Sequence, residues 1–121
     1  MTITLDHTIV PAYNKEASAR FFAQIFGLKS GTHGEHFATV NVNDTLTLAF
    51  ADYKTVDPHH YAFHVSDEEF DAIFARVKKA GLEYSSDPMH RNKGEISHRN
   101  GGRAFYFYDI DGHNMEVLTR V

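Results

Sequence analysis

Cysteine is absent from the 121 residues. That excludes a disulfide framework, a cysteine nucleophile, a thiolate zinc site and an iron–sulfur cluster. A basic excess is absent too: 12 Lys and Arg stand against 16 Asp and Glu, for a formal net charge of −4. Duplex-binding proteins carry the opposite balance, so nucleic acid is not an expected partner. No apolar run approaches the ~18 residues of a membrane-spanning helix. The opening Met-Thr-Ile-Thr-Leu-Asp-His has neither the basic nor the apolar region of an export signal. The expected setting is the cytoplasm, with no membrane partner. Several catalytic signatures are missing as well: there is no G-x-S-x-G elbow, no Walker loop, no G-x-G-x-x-G and no H-E-x-x-H. Against these absences stand ten Phe, six Tyr and nine His. The aromatic residues, with 42% hydrophobic and 23% charged content, describe an ordinary globular chain and exclude disorder. Nine histidines raise the prospect of a metal site and make any single one less telling.

Residues 2–10 alternate, with Ile3, Leu5, His7 and Ile9 on one face, and predict a half-buried strand ended by Pro11. Asn14 reads as an N-cap. Phe21, Phe22, Ile25 and Phe26 recur at helical spacing, and Gly27 fits the position just past the helix. Strands are expected near 28–32, 36–42 and 45–51, then a linker over 52–58. A second run follows. It has a strand from His60 to Val65, a capping box at Ser66–Glu69, and a helical stripe of Phe70, Ile73, Phe74 and Val77 closed by Gly81. Strands near 82–85, 103–109 and 113–119 complete it, with a polar loop over 86–102 and a turn at Asp111-Gly112. Strand, helix, Gly-Leu and three strands thus occur twice. His7 and His60 lie 53 residues apart, and the two Gly-Leu pairs 54 apart. The expected fold is α+β, a single domain over 1–121 built from two βαβββ modules, about 1–55 and 56–121, with mixed sheet curved around a metal cavity.

Three side chains fit such a cavity. His7 sits on the apolar face of the first strand, His60 opens the equivalent strand of the second module, and Glu116 lies on the last strand. Two imidazoles and a carboxylate on rigid strands can hold a divalent ion on one side and leave other positions open, as a catalytic metal needs. Taken singly, His7 reads more readily as a packed histidine and Glu116 as an edge carboxylate, and His59 and His64 compete with His60. His64 shares a face with His60 and is a candidate general acid–base. Tyr106 is either a core aromatic or a hydrogen-bond donor to a metal-bound oxyanion. Asp109-Ile-Asp-Gly112 lacks the spaced carboxylates of a calcium loop, and His113 reads as a turn residue. From Asp87 to Arg103 the loop carries Arg91, Lys93, Arg99 and Arg103 against Asp87 and Glu95, a balance of +2 in a chain of −4. Its length and charge predict a lid that draws in anionic small molecules, with Arg99, Asn100 and Arg103 as substrate contacts.

The segments Leu5-Asp-His7-Thr-Ile-Val10, His60-Tyr-Ala-Phe63 and Phe105-Tyr-Phe-Tyr-Asp-Ile-Asp-Gly-His-Asn-Met-Glu116 resemble the vicinal oxygen chelate superfamily. That superfamily holds glyoxalase I, extradiol dioxygenases, fosfomycin-resistance thiol transferases and bleomycin-binding proteins. The resemblance implies paired βαβββ modules and metal ligands at His7, His60 and Glu116. It also implies a homodimer in which His7 of one subunit completes the site of the other. Tyr106 matches the position of a substrate-contacting tyrosine. Glyoxalase I adds a Glu on the last strand of the first module, where this chain reads Thr45-Leu-Thr-Leu-Ala-Phe50 and has no carboxylate. Ile9, Ile96 and Ala104 stand where the fosfomycin enzymes have Thr, Lys and Ser, which disfavours fosfomycin as substrate. Bleomycin-binding relatives lack the triad. The implied protein is a metal-dependent, dioxygenase-like enzyme using Fe(II) or Mn(II), with Zn(II) or Ni(II) as alternatives. Its substrate would be a small molecule that chelates through neighbouring oxygens. A non-catalytic binding protein, a metal-assisted thiol transferase and an isomerase are the competing readings.

Overall fold

The computed structural model describes residues 2–121, which form two compact units divided between Asp57 and Pro58. The first unit runs β1 (His7–Ala12), α1 (Lys15–Phe26), β2 (Ser30–His33), β3 (Phe37–Asn41) and β4 (Thr47–Asp52). Its sheet has the order β1-β4-β3-β2, with β1 parallel to β4 and the other pairs antiparallel. Asn14 caps α1 by accepting from the amide of Ala17, and Gly27 ends it with φ of 72°, a left-handed conformation that glycine adopts without steric cost. Alternation then sorts the sheet. Val10, Ala12, Ala38, Val40, Leu48 and Phe50 are buried on one side, as are Ala19, Phe22, Ala23 and Ile25 of the helix. The ring of Phe22 stacks on Phe26 and leans on Phe50.

The first strand departs from the alternation reading in two ways. Residues 2–6 have no regular structure, and β1 runs through Pro11 to Ala12. Because β1 is the edge of its sheet, a proline without an amide hydrogen is tolerated there. Ile3, Leu5 and Ile9, the residues read as the buried face, are 104%, 63% and 45% exposed.

The second unit runs β5 (His60–His64), α2 (Asp67–Lys79), β6 (Ala104–Tyr108) and β7 (Asn114–Leu118), with sheet order β5-β7-β6. β5 is parallel to β7, and β6 is antiparallel to it. The capping box of α2 is complete: the Ser66 hydroxyl accepts from the Glu69 amide and the Glu69 carboxylate accepts from the Ser66 amide. Tyr61, Phe63, Phe105, Phe107, Met115 and Val117 alternate onto the same side of the sheet, four of them fully or almost fully buried. Phe70 and Phe74 of α2 pack on Phe105 at ring distances of 5.3 and 5.2 Å. Burial of each such ring contributes roughly 1.5–3 kcal/mol. The strand expected near 82–85 does not form. Ser85 makes single bridges to Tyr106 and to Lys93, and the chain then turns at Asp87. The architecture is α+β, two mixed sheets each with a helix, and no helix of the described residues is long and apolar enough to cross a membrane.

Candidate metal centre

The opposite face of the second sheet carries the polar residues. The register pairs His60 with Asn114, Ala62 with Glu116, and Tyr106 with Glu116. Side chains two apart on a strand share a face, so His60, Asn114, Glu116 and Tyr106 converge. His60 Nε2 lies 3.0 Å from Glu116 Oε1, and its other nitrogen, Nδ1, lies 3.0 Å from the main-chain oxygen of Asn114. A carbonyl oxygen only accepts, so Nδ1 carries the hydrogen. The neutral ring then presents a lone pair at Nε2 to a carboxylate oxygen, two acceptors facing each other. A cation between them, a metal ion or a proton, resolves that contact. The donor set therefore fits a divalent metal: an imidazole oriented by a hydrogen bond to its far nitrogen, and a carboxylate beside it.

Tyr106 closes one side. Its ring stacks on His60 at 6.0 Å. Burial raises its phenol above the usual range, the neighbouring Glu116 charge adds to the rise, and Arg99 opposes it. Tyr106 and Glu116 line a cavity of about 290 Å³ with Pro88, Arg99, Asn100, Arg103 and Arg120. His7 belongs to the first unit. Its Nδ1 donates to Asp6 Oδ2 at 2.9 Å, its side chain is 65% exposed, and it lines a cavity of about 590 Å³ with Ile9, Phe37, Thr39, Asn41 and Thr47.

Several expectations shift. His64 lies four residues along β5 from His60, about 13 Å in extended chain, and its Nε2 is engaged by the Thr119 carbonyl at 3.1 Å. It is not a close neighbour of the His60–Glu116 pair. Arg103 contributes to the cavity wall, but its guanidinium is directed at helix α2. Nη1 donates to Asp71 at 2.7 Å, Nη2 donates to Asp67 at 3.0 Å, and the group lies 4.3 Å above the Phe70 ring. Lys93 pairs with Glu83 at 3.0 Å. Of the loop's expected contacts, Arg99 and Asn100 remain at the cavity. The loop itself is tied down: Asp87 accepts from the Ser85 hydroxyl and from the amides of Arg91 and Asn92. These bonds, led by that of Ser85, lower its carboxyl to about 2.

Two contributors carry no motif. Asn114 acts through its backbone oxygen, which no side-chain pattern reveals. His90 is buried with φ of 56°, stacks on Tyr108 at 3.9 Å, and its Nε2 lies 2.8 Å from Asn114 Oδ1, while Asn114 Nδ2 donates to the Pro88 carbonyl. Asp109, Asp111 and His113 form a separate group with possible ligand atoms within 4.8 Å of one another. There Asp109 Oδ1 accepts from the amides of Asp111 and His113, and His113 Nδ1 accepts from the His59 amide. Burial is the largest influence on the Asp109 carboxyl and raises it. These bonds lock the turn before β7 and so fix where Glu116 stands on that strand.

The chain belongs to the Glyoxalase/Bleomycin resistance protein/Dioxygenase superfamily, whose family model matches residues 4–117. Two solved structures resemble it over their whole length. Oxidase ChaP-H2 is 48% identical with a TM-score of 0.96, covering 100% of this chain and 96% of that one. Oxidase ChaP-H1 is 45% identical with a TM-score of 0.94, covering 99% and 98%. Glutathione transferase FosA of Serratia marcescens is 27% identical over 124 residues, 97% of this chain and 81% of that protein.

Proposed function

We propose that the protein is a metal-dependent, dioxygenase-like enzyme acting on a small molecule that chelates through neighbouring oxygens. The observation that carries this reading is the contact of His60 Nε2 with Glu116 Oε1, two acceptors 3.0 Å apart once Nδ1 is committed to Asn114. Kinship to two oxidases at 45% and 48% identity supports oxygen chemistry over thiol transfer. His60 and Glu116 are two of the ligands, and His7 of a second copy is the third. Asp6 orients His7 as Asn114 orients His60, each holding the Nδ1 hydrogen and leaving Nε2 for an ion. A divalent ion such as Fe(II) or Mn(II) supplies Lewis acidity and a template for substrate oxygens. Tyr106, paired with Glu116 across the sheet, would offer its hydroxyl as a hydrogen-bond donor to a substrate oxygen. Its raised phenol keeps that hydrogen in place at neutral pH. The 290 Å³ cavity beside the pair has room for a small molecule. A metal-assisted thiol transferase is the second reading, favoured by the full-length match to a glutathione transferase. Ile9, Ile96 and Ala104 tell against fosfomycin as its substrate.

Elemental analysis of protein purified without oxygen tests the site. His7→Ala, His60→Ala and Glu116→Ala should each abolish stoichiometric metal, and His59→Ala and His64→Ala should keep it. Mixing the His7→Ala and Glu116→Ala proteins should restore ~0.25 ion per chain, the yield of one intact shared site in a statistical set of twofold dimers. Normal metal in His60→Ala would sink the ligand assignment. A monomer by light scattering with full metal would remove the shared site. Oxygen uptake against catechols and 2-oxo acids, beside glutathione consumption, separates the two chemistries.

A further inference from the structure

The substrate cavity has a cationic end that the metal ligands do not explain. Among the described residues neither Arg99 nor Arg120 makes an ion pair, whereas Arg103 and Lys93 do. Both unpaired arginines line the cavity that holds Tyr106 and Glu116.

Their placement is built by the backbone. Asn100 and Gly101 follow Arg99 with φ of 61° and 76°, consecutive left-handed residues that fold the chain back. A non-glycine residue in that region is costly and collects at functional sites. Gly102 then presses on the end of β7. A β-carbon there would stand 2.7 Å from Arg120 Cβ and 2.8 Å from Thr119 Oγ1, so only glycine permits the approach. Thr119 completes the seat: its hydroxyl accepts from the Arg103 amide, and its own amide donates to the Arg103 carbonyl. The turn thus carries Arg99 to the cavity that Tyr106 also lines and lies along the side chain of Arg120. Neither carboxylate side chain of the lining, Asp87 or Glu116, forms an ion pair with them: Asp87 accepts from Ser85, Arg91 and Asn92, and Glu116 lies against His60.

We infer that Arg99 and Arg120 form a subsite for an anionic group, carboxylate in the first instance, in the cavity that Tyr106 and Glu116 line. The inference rests on the reading of His60 and Glu116 as the chelating end, and it makes the substrate bifunctional: neighbouring oxygens for the metal, and an oxyanion for the two guanidinium groups. Planar, always-charged guanidinium forks suit a planar carboxylate. Both side chains reach solvent, so the expected preference is about tenfold, in keeping with ion pairs that are not sealed from water.

The test uses Mn(II)-loaded protein without oxygen, titrated calorimetrically with 3,4-dihydroxybenzoate and with 3,4-dihydroxybenzamide. The two probes share size and chelating hydroxyls and differ in one charge. The wild type should bind the benzoate about tenfold more tightly. Arg99→Gln and Arg120→Gln should each cut that ratio to about threefold, and the double variant to about one, with benzamide affinity unchanged. Equal binding of both probes by the wild type overturns the inference and leaves chelation standing. So does a preference that survives the double substitution. Failure of both probes to bind overturns the chelating reading, and the subsite with it.

Discussion

Arg103 separates a structural from a substrate role, because its charge balance pointed one way and its geometry the other. Its guanidinium bridges the first two turns of α2 to the start of β6 through Asp71 at 2.7 Å and Asp67 at 3.0 Å, above the face of Phe70. The two carboxylate side chains are 68% and 78% exposed, so each ion pair belongs in the surface range of ~0.2–1 kcal/mol. The guanidinium over the Phe70 ring adds roughly 0.5–1 kcal/mol. Arg103→Ala should therefore cost about 1–3 kcal/mol, including the packing of its stem. For a domain of this length that is a fall in Tm of roughly 4–12 °C. Chemical denaturation of Arg103→Ala, Asp71→Asn and the double variant gives the coupling directly, about 0.5–1 kcal/mol for a pair in contact. High salt should shrink the ion-pair share and leave the Phe70 share. The preference for 3,4-dihydroxybenzoate should stay as in the wild type. An Arg103→Ala protein of unchanged stability that loses that preference would refute the reasoning, since the guanidinium would then work in the cavity and not on the helix.

His90→Ala removes a buried, stacked ring and a hydrogen bond to Asn114. It should cost about 1–2 kcal/mol and speed amide exchange across residues 85–92. Gly102→Ala places a methyl against Arg120 and Thr119 and should cost about 1–3 kcal/mol by urea denaturation, while weakening the carboxylate preference. Asp87 has a folded value lowered to about 2. Its stabilisation is thus complete above the ordinary carboxylate value of 3.8 and is lost as pH falls through about 2. Asp87→Asn should remove that acid-dependent component from the opening of the loop, followed by exchange of the Arg91 and Asn92 amides.

Helix ends and faces were legible because each has a local cause. Asn14, Gly27 and the Ser66–Glu69 box act within one turn, and period-two alternation puts His60, Glu116 and Tyr106 on one face of the sheet whatever the loops do. The strand at 82–85 was not legible in the same way. Leu82-Glu-Tyr-Ser85 has strand-like residues, but whether they join a ladder depends on Asp87 pulling the following turn closed. The roles of Arg99 and Arg103 could not be told apart by charge. What divides them is the position of Asp67 and Asp71 on α2, one helical turn apart and facing Arg103. The Asn114 carbonyl and the stem of Arg120 left no side-chain signal of function, though Asn100-Gly-Gly102 did announce a turn needing positive φ.

The first strand carries the lesson furthest. Alternation groups Ile3, Leu5, His7 and Ile9 on a buried face, but the strand begins only at His7, and Ile3, Leu5 and Ile9 are exposed. The side that packs on α1 is the other one, through Val10 and Ala12. What remains is a row of large apolar side chains open to water, with a histidine whose Nδ1 is already oriented by Asp6 and whose neighbours line a cavity. An apolar row costs free energy while it is solvated, and an oriented imidazole with a free Nε2 is incomplete as chemistry. The second copy proposed above, offering His60 and Glu116, would answer both needs at once. That is why the proposed shared site and the proposed dimer stand or fall together in the mixing experiment.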